Sequence, residues 1–271
     1  VPKLAVIGFP VSHSRSPAMQ SAALAEMGLA PEWSYEAVEA APGTFEATVR
    51  EMAAADFAGA NVTVPHKQAA LALAGGASEA ARAIGAANTL SFPGGRIEAD
   101  NTDAGGLLAS LPDERPAGRV LVLGAGGAAR AAIWALSGDD DAVEAGDRRR
   151  VDVWNRTAAR AAAVASELGG NPVEAPDQRE YGLIVNTTAV GLQGEDPFEH
   201  LPLAADGFVS DQTVVDMVYG ERPSALLAAA EAAGATIVDG LEVLVQQGAL
   251  SLEIWTGRKP DRDAMRRAAR R

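Results

Sequence analysis

Residues Arg119–Leu136 read RVLVLGAGGAARAAIWAL. Val120–Leu123 is an apolar run of strand length, a glycine turn follows, and the alanine-rich remainder has the composition of a helix. The turn itself, Gly124-Ala125-Gly126-Gly127-Ala128-Ala129, has the form G-x-G-x-x-A in a strand–turn–helix setting. Gly124 permits the tight turn, Gly126 lets backbone come close to a pyrophosphate, and Ala129 keeps helix and strand near each other. The free N–H groups at the helix start then face the phosphates. An ordinary tight βα turn uses the same glycines, so the motif admits a nucleotide without requiring one.

The next strand, VDVW, runs into NRTAAR, which contains Asn155, Arg156, Thr157 and Arg160. A protein that takes NAD usually has an acid here for the ribose 2′-hydroxyl. Two guanidiniums and a hydroxyl instead suit a 2′-phosphate, and no carboxylate repels it. The alternative is a solvated helix start, although arginine is poorly placed at a helix N-terminus. The distance from the glycines exceeds the usual spacing. That fits if Gly138–Arg150, GDDDAVEAGDRRR, is a charged loop. YGLIVNTT and QTVVDMV supply further strands with helices between them, and the unit begins near Asp103 with the helix DAGGLLASL.

The N-terminal part repeats the alternation: KLAVIG, a helix over Pro17–Gly28, WSYEAV, a helix over Thr44–Ala55, then ANVTV. NTLSF and RIEAD are joined by the turn Pro93-Gly94-Gly95, a hairpin that makes this sheet mixed rather than purely parallel. Asn61–Lys67, NVTVPHK, reads as a buried strand from Asn61 to Val64, stopped by Pro65 and closed by a lysine. The chain has 23 basic residues, and only Lys3, Lys67 and Lys259 are lysine. Arginine cannot give up its proton, so a proton-exchanging position excludes it. Chance is the alternative, since Lys3 and Lys259 also stand with no evident chemistry. The C-terminal GLEVLVQQGALSLEIWTG reads as an apolar helix.

Composition narrows the classes. The chain has 271 residues, 48% of them hydrophobic, enough for one large domain or two modest ones with packed cores. A net charge of −13 argues against a nucleic-acid partner. With no cysteine, disulfides, thiolate catalysis and cysteine-ligated zinc are excluded. His13, His66 and His200 do not by themselves make a metal cluster, so no metal is expected. No apolar run reaches membrane length and VPKLAVIGFP lacks signal-peptide character, so a soluble cytoplasmic protein is the default expectation.

GFPVSHSRSP, NVTVPHK, GAANTL, DNTDAGG, GAGGAARA, NRT, DMVY and LVQQG occur in this order. Together they resemble the shikimate dehydrogenase family, from about Leu4 to Gly257. The resemblance implies an α/β protein with an active site in the cleft between two domains. The first is a mixed-sheet substrate domain, 1–103 with 241–271; the second is a Rossmann-like NADP-binding domain, 104–240. It implies reversible NADPH-dependent reduction of 3-dehydroshikimate to shikimate. Lys67 and Asp103 match the family's catalytic pair. Ser14, Ser16, Thr63, Asn88, Tyr219 and Gln247 match its substrate contacts. Gly124, Ala125, Gly126, Gly127 and Ala128 match the phosphate turn, and Asn155, Arg156, Thr157 and Arg160 the adenosine-phosphate clamp. Met217 and Gly240 match positions near the nicotinamide, and Glu79 an acid near the cofactor. The chain departs from the family at Gly220-Glu221, where Asn-Pro is common, at Val243 for methionine and at Ala87 for valine.

Each residue has a plainer reading by itself. Ser14 and Ser16 could cap a helix starting at Pro17, Asn88 could be a turn residue, Asp103 a helix cap, and Gln247 a partner for a buried backbone group. His66 is read as structural. Two rival functions are a quinate/shikimate dehydrogenase of broader specificity, often using NAD, and a non-catalytic NADP-binding sensor. The first would place an acid where NRT stands; the second would lose Lys67 or Asp103. The expected partner is a small-molecule substrate, with no nucleic acid and no membrane, and the protein is expected to be a monomer or homodimer.

Overall fold

The structure is a computed structural model that describes residues 2–114, 116–138, 150–220 and 222–270. The Gly138–Arg150 insert therefore lies outside the described residues except for its two ends. Two units are resolved: residues up to Gly106 together with those from Leu244 onward, and Leu107–Val243.

The first unit is built on a six-stranded sheet. Its strands are β1 (Lys3–Gly8), β2 (Ser34–Glu39), β3 (Phe57–Val62), β4 (Gly76–Ala77), β5 (Thr89–Ser91) and β6 (Glu98–Asp100), in the order β2-β1-β3-β5-β6-β4. Central β1 is buried from Leu4 to Gly8, the signature of a strand covered on both faces, whereas β2 at the edge is largely polar. β1 is parallel to β2 and β3, while β5 is antiparallel to β3 and β6. The sheet is mixed, as the Pro93–Gly95 turn implies; Gly94 and Gly95 adopt φ of 60° and 78°, which their lack of a side chain permits. Ile7, Ala60, Val62 and Leu90 pack with Phe45, Val49 and Met52 of α2 (Phe45–Ala54).

Other helices of this unit are α1 (Ser16–Glu26), α3 (Lys67–Leu73), α4 (Glu79–Ile84) and α11 (Arg262–Ala269). One expectation changes. The third strand ends at Val62, not Val64. Thr63 N still donates to Ile7 O (2.9 Å), but His66 N then turns back to Thr63 O (3.0 Å). Lys67 thus opens a helix instead of closing a strand. α1 also begins one residue before Pro17.

The second unit has six parallel strands: β7 (Arg119–Leu123), β8 (Val151–Trp154), β9 (Asn171–Pro172), β10 (Tyr181–Asn186), β11 (Thr213–Asp216) and β12 (Thr236–Asp239), ordered β12-β11-β10-β7-β8-β9. This is the doubly wound nucleotide-binding order, with its switch point between β7 and β10. Val120 and Val122 pack with Ile133 and Leu136 of α6 (Gly127–Ser137) and Val164 of α7 (Ala158–Leu168). Leu121 and Leu123 face the other way, toward Leu226 and Leu227 of α9 (Ala225–Ala232). Alternate side chains thus serve both faces, which is why the strand reads as one apolar run. α5 (Asp103–Ser110) and α10 (Gly240–Thr256) carry the chain across the two unit boundaries.

At the amino end of this sheet Asp152 is wholly buried. It accepts hydrogen bonds from the Tyr181 hydroxyl (3.0 Å), Arg150 Nε (3.2 Å) and Arg119. Burial, reinforced by the Asp152 carboxylate, pushes the Tyr181 hydroxyl up to about 12. No helix among the described residues is long and apolar enough to cross a membrane.

Candidate functional site

Lys67 and Asp103 are brought together from positions 36 residues apart. Lys67 opens α3 and Asp103 opens α5, and Lys67 Nζ donates to Asp103 Oδ2 at 2.7 Å. Both side chains are largely, though not wholly, enclosed, at 14% and 11% exposure. Asp103 is not the cap of its helix. Asn101 Oδ1 does that work, accepting from the N–H groups of Asp103 (3.0 Å) and Ala104 (3.3 Å). The Asp103 carboxylate is thereby left for Lys67.

Its second oxygen, Oδ1, accepts from Asn88 Nδ2 at 2.9 Å. Asn88 is buried, not a surface turn residue. Its amide is oriented by the backbone N–H of Thr102, which donates to Asn88 Oδ1 at 2.7 Å, so Nδ2 must face Asp103 and Gln247 Oε1 (3.0 Å). Gln247, on α10, also donates through Nε2 to Leu244 O (2.9 Å), in line with its plainer reading. Gly106 is pressed against Gln247: a Cβ there would lie 2.6 Å from Gln247 Cβ. Asn61, Thr89, Thr102 and Ser251 form a buried polar group behind this set. None of the four was singled out in the sequence for its side chain. Asn101 alone had a local signal, an amide two residues ahead of a helix.

Ser14 is half-buried and accepts from Ser16 N at 3.2 Å, so it assists the start of α1, while Ser16 is buried at its first position. Thr63 is half-buried and touches β1 closely: a Cβ on Gly8 would meet Thr63 Cγ2 at 2.3 Å. His66 is buried and structural. Its Nε2 is 2.7 Å from Ala40 O, and its ring stacks on Phe45 with centroids 4.3 Å apart. Glu79 is exposed in the first turn of α4, whose cap is Ser78.

In the second unit Gly124 has φ +119°, and a Cβ there would lie 2.5 Å from Thr187 Oγ1. Its N–H donates to Trp154 O (2.8 Å), which sets the glycine turn beside the end of β8, where Asn155 follows. Gly126 caps α6, and a Cβ on it would meet nothing within 4 Å. Ala125, Gly127 and Ala128 are half-buried, Ala129 is buried, and no acid occupies the first turn of the helix. Free helix N–H groups over open space fit a pyrophosphate.

Asn155 Nδ2 donates to Thr157 O (3.0 Å), and Thr157 opens α7. Arg156 and Arg160 are exposed, and neither forms an ion pair among the described residues. That fits a phosphate on the ribose. Met217 and Gly240 meet: a Cβ on Gly240 would lie 2.6 Å from Met217 O. Half-buried Tyr219 follows in the same loop. Asp216, buried at the end of β11, accepts from Asn186 Nδ2 (2.9 Å), Val218 N (3.1 Å) and Ser224 Oγ (2.5 Å). Burial holds its carboxyl above the usual range against those bonds.

A doubly wound sheet with this turn in one unit, and a paired lysine and aspartate in the other, define a nucleotide-dependent α/β dehydrogenase. Comparison with known proteins narrows the class. Residues 6–90 match the model of the shikimate dehydrogenase substrate binding domain, and 240–270 that of the shikimate 5′-dehydrogenase C-terminal domain. Shikimate dehydrogenase (NADP(+)) of Thermus thermophilus is 44% identical, covering 99% of this chain and 98% of that protein. The Methylobacterium radiotolerans enzyme of the same name is 43% identical, covering 96% and 93%. The crystal structure of the Thermus thermophilus enzyme with NADP(H) and shikimate matches with a TM-score of 0.87 at 42% identity, covering 100% and 99%. The chain belongs to the shikimate dehydrogenase family.

Proposed function

We propose that this chain catalyses the reversible NADPH-dependent reduction of 3-dehydroshikimate to shikimate, a step in making aromatic amino-acid precursors. The observation that carries the reading is the Lys67–Asp103 pair at 2.7 Å, buttressed by Asn88. The family membership and the complex of the Thermus thermophilus relative with NADP(H) and shikimate support it.

Reduction of the ketone needs a hydride on carbon and a proton on oxygen. Bound NADPH supplies the hydride. The Lys67 ammonium gives its proton to the carbonyl oxygen, and in the reverse direction the neutral amine takes it from the hydroxyl. One Lys67 N–H is committed to Asp103, which leaves two for the substrate. Asp103 holds the ammonium in place and accepts from a substrate hydroxyl. Asn88 and Gln247 fix neighbouring hydroxyls. The Ser14 hydroxyl accepts a backbone N–H, so its own proton is available to the substrate carboxylate beside Ser16. Thr63 and Tyr219 complete the substrate contacts.

The turn Gly124–Ala128 takes the pyrophosphate, Arg156 and Arg160 with Asn155 and Thr157 the 2′-phosphate side, and Met217 and Gly240 the nicotinamide side. Glu79 is a further acid near the cofactor. In this reading 1–103 with 241–271 bind substrate and 104–240 bind NADP. The protein works in the cytoplasm as a monomer or homodimer, on a small-molecule substrate.

The test is NADPH formation from shikimate and NADP, followed by absorbance, with quinate in parallel. Shikimate is expected to be oxidised and quinate used poorly. Comparable specificity constants for the two would move the chain to the broader quinate/shikimate type.

A further inference from the structure

Ser251 sits on α10, four residues beyond Gln247, with no exposed surface. A buried helical serine commonly satisfies itself by donating to the carbonyl one turn back. Ser251 Oγ has that partner, Gln247 O, at 3.0 Å. It has three more from other parts of the fold: Asn61 Nδ2 at 2.8 Å, Thr89 Oγ1 at 2.9 Å and Thr102 Oγ1 at 3.0 Å. Self-satisfaction does not call for four partners.

The protons can be followed. Asn61 Nδ2 also faces the backbone carbonyl of Asn88 (3.3 Å), and its Oδ1 accepts from Tyr35 OH (2.8 Å). Its amide is therefore oriented to donate to Ser251. Thr89 and Thr102 hydroxyls lie 3.3 Å apart and each lies 3.2 Å from Asn88 Oδ1, while Thr102 Oγ1 also accepts from Asn88 Nδ2 at 2.9 Å. Ser251 thus closes a ring of three hydroxyls, whose three protons are shared among the ring contacts, Asn88 Oδ1 and Gln247 O. The opposite end of that same Asn88 amide holds Asp103 Oδ1.

We propose that Ser251 is a positioning residue for Asp103, acting through Thr89, Thr102 and Asn88. The proposal rests on the reading of Lys67–Asp103 as the catalytic pair. Without the Ser251 hydroxyl, Asn61 Nδ2 loses its shortest acceptor, keeping only Asn88 O and Thr89 Oγ1 at 3.3 and 3.4 Å, and the two threonines lose their bridge, in a place where all of them are buried. The ring relaxes by turning the Asn88 amide, and the Asp103 carboxylate follows. Small displacements at a reacting group lower turnover far more than they lower binding.

The experiment is steady-state shikimate oxidation by wild type, Ser251→Ala and Thr89→Val, with NADP titrations and thermal melts beside it. Thr89→Val keeps the shape of the side chain and removes only the hydroxyl, so it enters the same ring without a cavity. The turnover number is expected to fall about 5- to 20-fold in both variants, with NADP affinity preserved. Thr89→Ser, which restores a hydroxyl, recovers most of the loss. A merely structural role would give the same loss in any background, so Ser251→Ala is repeated in Asp103→Asn. There it is expected to cost less than about twofold, because the group it positions is gone. Turnover within about twofold of wild type in Thr89→Val, or equal losses in both backgrounds, overturns the proposal. A wild type that does not oxidise shikimate at all sinks the functional reading instead, so the two failures are distinct.

Discussion

Lys67 is the residue on which composition and geometry agree. In a chain that otherwise uses arginine for 20 of its 23 basic residues, it pairs with Asp103 at 2.7 Å and is largely enclosed. Lys67→Arg keeps a charge and donors and removes the ability to release a proton. It is expected to retain NADP binding and to lose turnover by about 10²- to 10⁴-fold. Steady-state kinetics beside a nucleotide titration decide it: an arginine variant with near-native turnover would leave Lys67 a clamp without proton chemistry. The lysine was legible because its neighbours NVTVPHK are contiguous. The ring behind it was not. Ser251 meets Thr89 across 162 positions and Thr102 across 149, and no local pattern in a run such as GALSLEIW announces a polar partner so far away. Nor did the sequence separate Asp103 from its helix cap, because Asn101 and Asp103 are both good capping types and only the hydrogen bonds divide the two tasks.

Among the elements, the strand–turn–helix Arg119–Ser137 was the most readable, since its glycines act over a few residues. The two glycines do different things, and substitution separates them. At Gly124 a side chain meets both φ +119° and Thr187 Oγ1 at 2.5 Å. Gly124→Ala should therefore cost about 1–3 kcal/mol of stability. At Gly126 a Cβ meets nothing and φ is −90°, so Gly126→Ala should melt like wild type. The methyl instead fills the space a pyrophosphate needs, weakening NADP by about 10- to 100-fold through lost charge-assisted contacts. Melting curves and NADP titrations on both variants are the check; a stability loss at Gly126 with unchanged NADP affinity would contradict it. The helices α3 and α4 were harder to read. KQAALAL and EAARAI are rich in alanine, three residues in each, which gives helix propensity without a clear apolar stripe. The two-residue strands β4 and β9 are too short to carry a period at all.

At the scale of the whole molecule, a clear pH signature among the described residues belongs to the amino end of the parallel sheet. Tyr181 keeps its proton in the folded chain up to about 12, whereas an unfolded tyrosine releases it near 10. Between those values the folded state binds more protons, so stability falls as pH rises. The contribution is complete below about 10 and is lost through about 12. Tyr181→Phe removes it: denaturant unfolding across alkaline pH should show a shallower decline than wild type, though from a lower starting stability because the bond to Asp152 is gone. Parallel declines would refute the assignment. The mixed sheet and the parallel sheet were both foreseeable from alternation and turns, because those are repeated local signals. The closing of the first unit by residues from Leu244 onward was not visible in periodicity and came only from the family likeness. That nesting governs the order of assembly during synthesis. The inner unit, Leu107–Val243, emerges complete while the outer one, begun first, still lacks α10. Until Gln247 and Ser251 leave the ribosome, the nascent chain has Lys67, Asn88 and Asp103 but not the helix that holds them in register. The polar cluster around Asn88 is thus completed only once α10 has been made, after the inner unit.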